Sequence, residues 1–404
     1  MKKSILIITE LFSPINGVGA FRASYFAYYL NKEGWKVHVV TIKNHKKYKN
    51  DNPIINTSGI ETTHVGVKIP ENTLPNRIIF QFEKIIAPEK VGAHNVFNKF
   101  FAAAGKILKR EKIDIIWGTC GPEWVHLLCS RLSAKFKIPW VADFRDLPDP
   151  FLNQNILNQI WINRINRRRE EYIKTCSSVV SVSDGLLKGV NLFVSRKCVI
   201  FNGYDERLHN TAKHNSKGKY FEIFYCGSIY KGRRDPSSLF TAISVLLREK
   251  KHLRPFLKIK FVGIGNVDFP EIKSLEISDT LEIIKDRVSY ADSIRMMHQA
   301  SLLIHLSHRN ESGIMTTKIF DYLAAQKPIL SIPGDHDCVD ELLRKTKAGV
   351  SLDDPNEIAK QIHHWFCLWM DGKKMIDPNQ LEISKYSRSH QSRQLSRVLD
   401  GIII

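Results

Sequence analysis

Nothing in this sequence is apolar for long enough to cross a bilayer. The longest runs, such as residues 5–8 and 301–306, fall far short of the roughly 20 residues that a membrane helix needs, and they read as buried strands. Paired cysteines are lacking as well. Cys120, Cys129, Cys176, Cys198, Cys226, Cys338 and Cys367 form no CxxC pair, which argues against a zinc site or a disulfide framework and fits reduced thiols in a cytosol. No secretory leader is expected either. Lys2 and Lys3 precede an apolar run, but Thr9 and Glu10 break it at once and no small-residue cleavage site follows. The expectation is a cytoplasmic protein. Glycine and proline are spread too thinly for a fibrous or disordered chain.

What is present is the balance of a folded protein, 43% hydrophobic and 25% charged residues. At 404 residues the chain is long enough for two domains, each with its own core. The net charge of +19 makes the surface attractive to something polyanionic. Basic clusters at residues 43–49, 164–169 and 248–254 are scattered, and no nucleic-acid-binding pattern accompanies them. An anionic membrane surface is therefore the expected partner rather than nucleic acid.

The first forty residues spell a βαβ unit: an apolar run at 4–9, a turn-prone loop at 13–19, a helical pattern at 20–32, then a second apolar run at 36–41. Such parallel crossovers are nearly always right-handed, so the first half is expected to be doubly wound α/β. The alternation continues with strands at 113–117, 140–143 and 178–182 and helices at 124–136 and 156–174. Between 50 and 100 only a helix near 80–86 is expected. After Asn202-Gly203-Tyr204-Asp205 the composition turns to His, Asn, Lys and Gly up to Lys219, as in an exposed linker. A second series follows, with strands at 221–226, 257–262, 300–306 and 328–332 and helices at 235–250, 290–298 and 317–325. A last helix is expected at 386–399. Two Rossmann-like domains of this kind make a clamshell, with ligands outside the carboxyl ends of the strands, in the cleft between them.

Four segments carry candidate chemistry. Asn16, Gly17 and Gly19, with Arg22 one turn further on, form a first strand-to-helix loop where backbone amides and the helix N-terminus can receive a phosphate or an acceptor group. A tight structural turn explains the glycines equally well. Asp143, followed by Arg145 and Asp146, lies after a strand, where three charged residues imply a cleft; Asp143 can orient a sugar hydroxyl, or it can simply pair with an arginine. Gly227, Lys231, Arg233 and Arg234 crowd cations onto one loop, with Asp235 or Ser237 placed to cap the next helix; fixed cations there stabilise a departing diphosphate. Finally, Gly313, Ile314, Met315 and Thr316 lead into a helix carrying Lys318 and Asp321. Amides at its start can face a phosphate, and the Asp321 carboxylate can accept both hydroxyls of a ribose. An amphipathic helix with solvated Lys318 and Asp321 is the plain alternative.

These residues resemble glycosyltransferase family 4, retaining enzymes of the GT-B fold, over nearly the whole chain. The family's Lys, apolar, Phe, acid, Tyr, Leu, Ala followed by Lys-Pro is matched by residues 318–324, Lys327 and Pro328, with Asp321 where Glu is usual and Gln326 where Gly is. The opening glycine loop, residues 143–146, 202–205 and 227–236 also look like the branch that builds bacterial surface polysaccharides. Three departures stand out. Gly313 occupies the position of the first family glutamate, with Glu311 two residues out of register. Ser228 stands where an arginine is expected, leaving Arg234, helped by Lys231 or Arg233, as the phosphate candidate. Cys120-Gly121-Pro122 replaces a histidine found in some members.

The resemblance implies an acceptor-side domain at 1–205, a nucleotide-sugar domain at 206–385, and a terminal segment at 386–404 crossing back to the first domain. It implies a donor that is a nucleoside-diphosphate sugar, UDP or GDP, no cofactor and no metal. It implies a lipid-linked or saccharide acceptor of capsule, O-antigen, lipopolysaccharide or exopolysaccharide assembly, with catalysis by Asp143, Arg234 and Lys231. Residues Arg164, Arg167, Arg168 and Arg169 are candidates for holding the chain to anionic lipid at the inner face of the plasma membrane. A nucleotide-sugar epimerase of the same fold and a non-catalytic binding partner remain the alternatives.

Overall fold

The computed structural model describes residues 2–15, 17–43, 55–66, 96–146, 156–190, 194, 196–212, 218–229, 232–308 and 313–403. The helix expected near 80–86, and the side chains of Asn16 and Lys231, lie outside the described residues. Two compact units are present: Met1–Asn202 with Ser389–Ile404, and Gly203–Arg388.

In the first unit the elements are β1 (Ser4–Ile8), α1 (Val18–Lys32), β2 (Lys36–Ile42), β3 (Glu61–Val65), α2 (Val96–Arg110), β4 (Ile115–Cys120), α3 (Trp124–Phe136), β5 (Trp140–Phe144), α4 (Ile156–Ile173), β6 (Ser178–Ser181), α5 (Asp184–Gly189) and β7 (Lys197–Val199). The strands form one parallel sheet in the order β3-β2-β1-β4-β5-β6-β7. Side chains alternate across a strand, and β1 shows the result: Leu6 and Ile8 enter a core with Phe100, Trp124 and Leu128. Ile5 and Ile7 enter another with Phe26, Leu30 and Trp117. Helices cover both faces, which is why β1 is a continuous apolar run.

The second unit contains α6 (Glu206–Ala212), β8 (Phe221–Cys226), α7 (Ser237–Glu249), β9 (Leu257–Val262), α8 (Glu271–Ser274), β10 (Leu281–Ile284), α9 (Tyr290–Gln299), β11 (Leu302–Leu306), α10 (Thr317–Ala325), β12 (Ile329–Ile332), α11 (Cys338–Thr346), β13 (Gly349–Ser351), α12 (Pro355–Met370) and α13 (Gln380–Ser384). Its sheet is parallel, in the order β10-β9-β8-β11-β12-β13. One core joins Phe221, Phe240 and Phe261 to Ile362, Trp365 and Trp369 of α12. Asp354 caps α12 by accepting from the amides of Asn356 and Glu357, and Pro355 starts it. Neither Asp235 nor Ser237 is the N-cap of α7, which is Pro236 with no side-chain cap bond; Asp235 instead accepts from the Ser237 amide at 2.9 Å in the turn before the helix.

The terminal helix α14 (Arg388–Ile403) packs on the first unit. Leu395 and Leu399 enter the core of Ile5 and Ile7, and the Gln391 side chain accepts from the Phe201 amide at 2.6 Å. One sequence reading needs correction. The stretch taken as an exposed linker after Asp205 contains α6, whose His209 is buried. It packs through polar partners, so its composition resembles that of a linker.

Candidate functional site

In a doubly wound sheet the ligand crevice lies at the carboxyl ends of the strands where the order reverses. In the second unit that point falls between β8 and β11. β8 ends at Cys226, and Gly227 follows with φ +132, its amide donating to the Val262 carbonyl at 2.8 Å. A Cβ added at Gly227 would fall 1.7 Å from Nζ of Lys318. Glycine is therefore what allows Lys318, in the first turn of α10, to lie across the end of β8. The Lys318 ammonium sits 5.0 Å from the centroid of the Tyr225 ring, close enough for a cation–π contact.

Arg234 bridges the two sides of the crevice. Its Nε–H donates to Nε2 of His308, after β11, at 2.9 Å, and its Nη1 donates to the Ser228 carbonyl at 3.1 Å. Burial first, and then the Arg234 charge, pull the Lys318 ammonium down to about 7. Burial pushes the neighbouring Cys226 thiol up. His305, on β11, is held down to about 3 chiefly by burial, with Arg234 and Lys318 adding to the effect.

The start of α10 faces the same crevice without a side-chain cap. Oγ1 of its N-cap, Thr316, is buried and has no hydrogen-bond partner among the described residues. Ile314 and Met315 lead into the helix, with Met315 buried. Gly313, at φ +73, donates its amide to Oδ2 of Asp337 at 2.5 Å, so this amide is committed to a carboxylate. Asp321, one turn into α10, is also occupied. Its Oδ1 accepts from the Tyr290 hydroxyl at 2.7 Å and lies 3.4 Å from Nε2 of His209. His209 Nδ1 in turn meets His298 Nε2 at 3.1 Å. Neither Tyr290 nor His209 carries a sequence signal linking it to Asp321. Arg233 is partly exposed on the cationic loop beside Arg234.

The first unit presents a different picture. Asp143 is fully buried, and both its oxygens are taken by Arg22: Nη2 to Oδ1 at 2.7 Å, Nε to Oδ2 at 2.9 Å and Nε to Oδ1 at 3.1 Å. Arg22 also donates to the Phe201 carbonyl at 3.2 Å. The inference of a cleft at Asp143 is corrected here: a carboxylate this deep is tolerated because it is paired, and the pair ties α1 to the end of β5. Arg145 donates to the Gly19 carbonyl, and a Cβ at Gly19 would meet Leu11 at 2.9 Å, so tight packing accounts for that glycine. Gly17 is the N-cap of α1, in extended backbone.

Arg169 also leaves the set of lipid-facing candidates. It is buried against Glu123, with Nε–Oε1 at 2.8 Å and Nη2–Oε2 at 3.1 Å, whereas Arg164, Arg167 and Arg168 are exposed. Among the described residues no cluster of three metal-ligating side chains occurs, and no helix is long and apolar enough to cross a membrane.

No protein-family model and no curated protein sequence matches the chain. Solved structures do. HepE from Anabaena, in complex with UDP and glucose, superimposes with a TM-score of 0.64 at 13% identity over 99% of this chain and 100% of that one. A glycosyltransferase from Rickettsia africae gives 0.64 at 14% identity over 100% and 99%. A UDP-forming α,α-trehalose-phosphate synthase from Burkholderia vietnamiensis gives 0.65 at 9% identity over 100% of both. The fold is that of the GT-B glycosyltransferases. At these identities the likeness establishes architecture, and the chemistry has to be argued from the site.

Proposed function

We propose that the chain is a retaining glycosyltransferase of family 4 that takes its sugar from a nucleoside-diphosphate donor, UDP- or GDP-linked, bound in the second unit. The observation that carries this reading is the pair of cations at the β8–β11 switch point: Arg234 and Lys318 converge there on the uncapped start of α10. HepE and the trehalose-phosphate synthase, whose names record UDP, favour UDP first.

In this reading the diphosphate lies between Arg234, Lys318 and the amides at the start of α10, and Arg233 extends the cationic loop. As the bond from the anomeric carbon to the phosphate oxygen breaks, its electron pair goes to that oxygen. Fixed cations and a helix N-terminus stabilise the charge with no reorganisation. The acceptor hydroxyl attacks from the same face and its proton passes to the departing phosphate, so the protein supplies position and field rather than a nucleophile. In this reading Asp321, oriented through its Oδ1 by Tyr290 and His209, is the carboxylate assigned to the ribose. No metal takes part in this scheme.

The acceptor is proposed to be lipid-linked or a saccharide of a cell-surface polysaccharide. Support for a lipid surface comes from α4, where Ile156 is 74% and Ile160 38% exposed and Arg164, Arg167 and Arg168 follow on the solvent side. Exposed apolar residues beside arginines suit the interface of an anionic bilayer. The test is calorimetric titration of UDP, GDP, ADP, dTDP and CMP into the wild type and Arg234→Ala. One nucleoside diphosphate should bind selectively, and the variant should bind it at least about tenfold more weakly, as expected for loss of a charge-assisted contact. Absence of binding by all five would remove the donor site.

A further inference from the structure

The carboxylate of Asp321 is held through one of its two oxygens. Two hydrogen-bond relays inside the second unit end on its Oδ1. In the first, Arg388, the last residue of that unit, donates through Nε to the Gly203 carbonyl at 3.2 Å and through Nη2 to the Tyr290 hydroxyl at 3.3 Å. A guanidinium only donates, so the Tyr290 oxygen receives that bond and its own O–H goes to Asp321 Oδ1, at 2.7 Å. In the second, the acceptor is again the carboxylate, so His209 carries its proton on Nε2, 3.4 Å from the same oxygen. In a neutral ring its Nδ1 then accepts from Nε2–H of His298, at 3.1 Å. The helices that carry these side chains, α6, α9 and α10, pack on one another, which fixes both relays. Oδ1 therefore has its lone pairs engaged, while no hydrogen bond reaches Oδ2 among the described residues. Oδ2 is not enclosed either: the 5% of the side chain that stays exposed includes this oxygen.

We propose that Asp321 reads a single hydroxyl of the donor's ribose: Tyr290 and His209 occupy Oδ1, and Oδ2 alone takes the sugar. The inference rests on the donor-site reading and adds a specificity to it. A carboxylate with both oxygens open holds the two hydroxyls of a ribose, one on each. Here the second oxygen has no lone pair left for a ligand. One hydroxyl makes a charge-assisted bond in a largely buried site, and the other receives nothing from Asp321. Tyr290 and His209 are positioning residues in this arrangement. Arg388 and His298 keep them donating towards Oδ1.

The test is calorimetric titration of UDP and GDP, and of the 2′-deoxy and 3′-deoxy analogues of each, into wild type, Tyr290→Phe and Asp321→Ala. For the parent nucleotide that wild type binds, one analogue should bind at least about tenfold more weakly, as expected for a lost bond to a charged acceptor, and the other within about threefold of the parent. Tyr290→Phe keeps the ring and frees a lone pair on Oδ1, so the analogue tolerated by wild type should now bind about tenfold more weakly than the parent. A tyrosine with only a packing role would weaken parent and analogues by one factor and leave the wild-type pattern intact. Asp321→Ala should bind the two analogues equally. That variant strands the Tyr290 hydroxyl and His209, and if it does not fold, the Tyr290→Phe comparison decides alone. Penalties of about tenfold for both analogues in wild type, or an unchanged pattern in Tyr290→Phe, overturn the single-hydroxyl reading. Parity of both analogues with the parent in wild type removes Asp321 from the ribose altogether. In each of these cases the parent still binds and the donor site stands. Failure of wild type to bind UDP or GDP removes the donor site itself, and this inference with it.

Discussion

Lys318 makes a prediction that needs no ligand. Its ammonium falls from an ordinary 10.5 to about 7 in the folded chain, so between those values the unfolded chain holds more protons than the folded one. Stability contributed here therefore rises with pH through that window, by up to about 1.4 kcal/mol per pH unit. It is fully present above 10.5 and lost as pH falls towards 7. Urea midpoints of wild type and Lys318→Met, compared at pH 7.5 and 9.5, read this directly. The wild type should gain on the variant at the higher pH; parallel behaviour would mean that the ammonium is not held down by its surroundings. The same residue shows where a sequence stops being informative. The match of residues 318–324 to a family pattern is visible in the chain, whereas the need for glycine at Gly227 beneath Lys318 depends on two segments far apart in sequence.

At the scale of elements, the Arg22–Asp143 pair is the clearest structural clamp, joining α1 to β5 at 2.7 Å with both side chains out of solvent. Removing one partner strands a buried charge, so Arg22→Met should cost about 3–5 kcal/mol. The double variant Arg22→Met with Asp143→Leu should recover much of it, since an apolar pair of similar volume avoids the desolvation of two ions. Denaturant melts of the two proteins decide this; a double variant no more stable than the single would place the cost elsewhere. Elements with a strong local pattern were legible in the sequence. β1, β8, β9, α3 and α10 follow from β-branched runs and helical spacing. α2 was missed although Phe97, Phe100, Ala104, Ile107 and Leu108 mark one buried face, because it begins at the end of a polar stretch. α12 also had a readable stripe and cap that were left unplaced. Strands β7 and β13, of three residues each, are too short to show a period. α6 was hidden because its buried face carries His209 rather than leucine.

For the whole molecule, the βαβ alternation and the composition were enough to foresee two parallel α/β sheets, because central strands such as β1, β11 and β12 are fully buried and mostly apolar. The candidate site was partly legible. The cationic loop and the start of α10 could be read, but their meeting at the β8–β11 switch point is a consequence of strand order, which local pattern does not specify. The partners of Asp321 and the internal commitment of Asp143 are products of tertiary packing in the same way. If the donor site is at that switch point, bound nucleotide should slow backbone exchange there before anywhere else. Hydrogen exchange of the full chain with and without saturating UDP tests this most directly. Protection concentrated at residues 226–236 and 313–321, absent in Arg234→Ala, is the expected result. UDP that binds but protects only the loop after β1, or protects the switch point equally in Arg234→Ala, would contradict it.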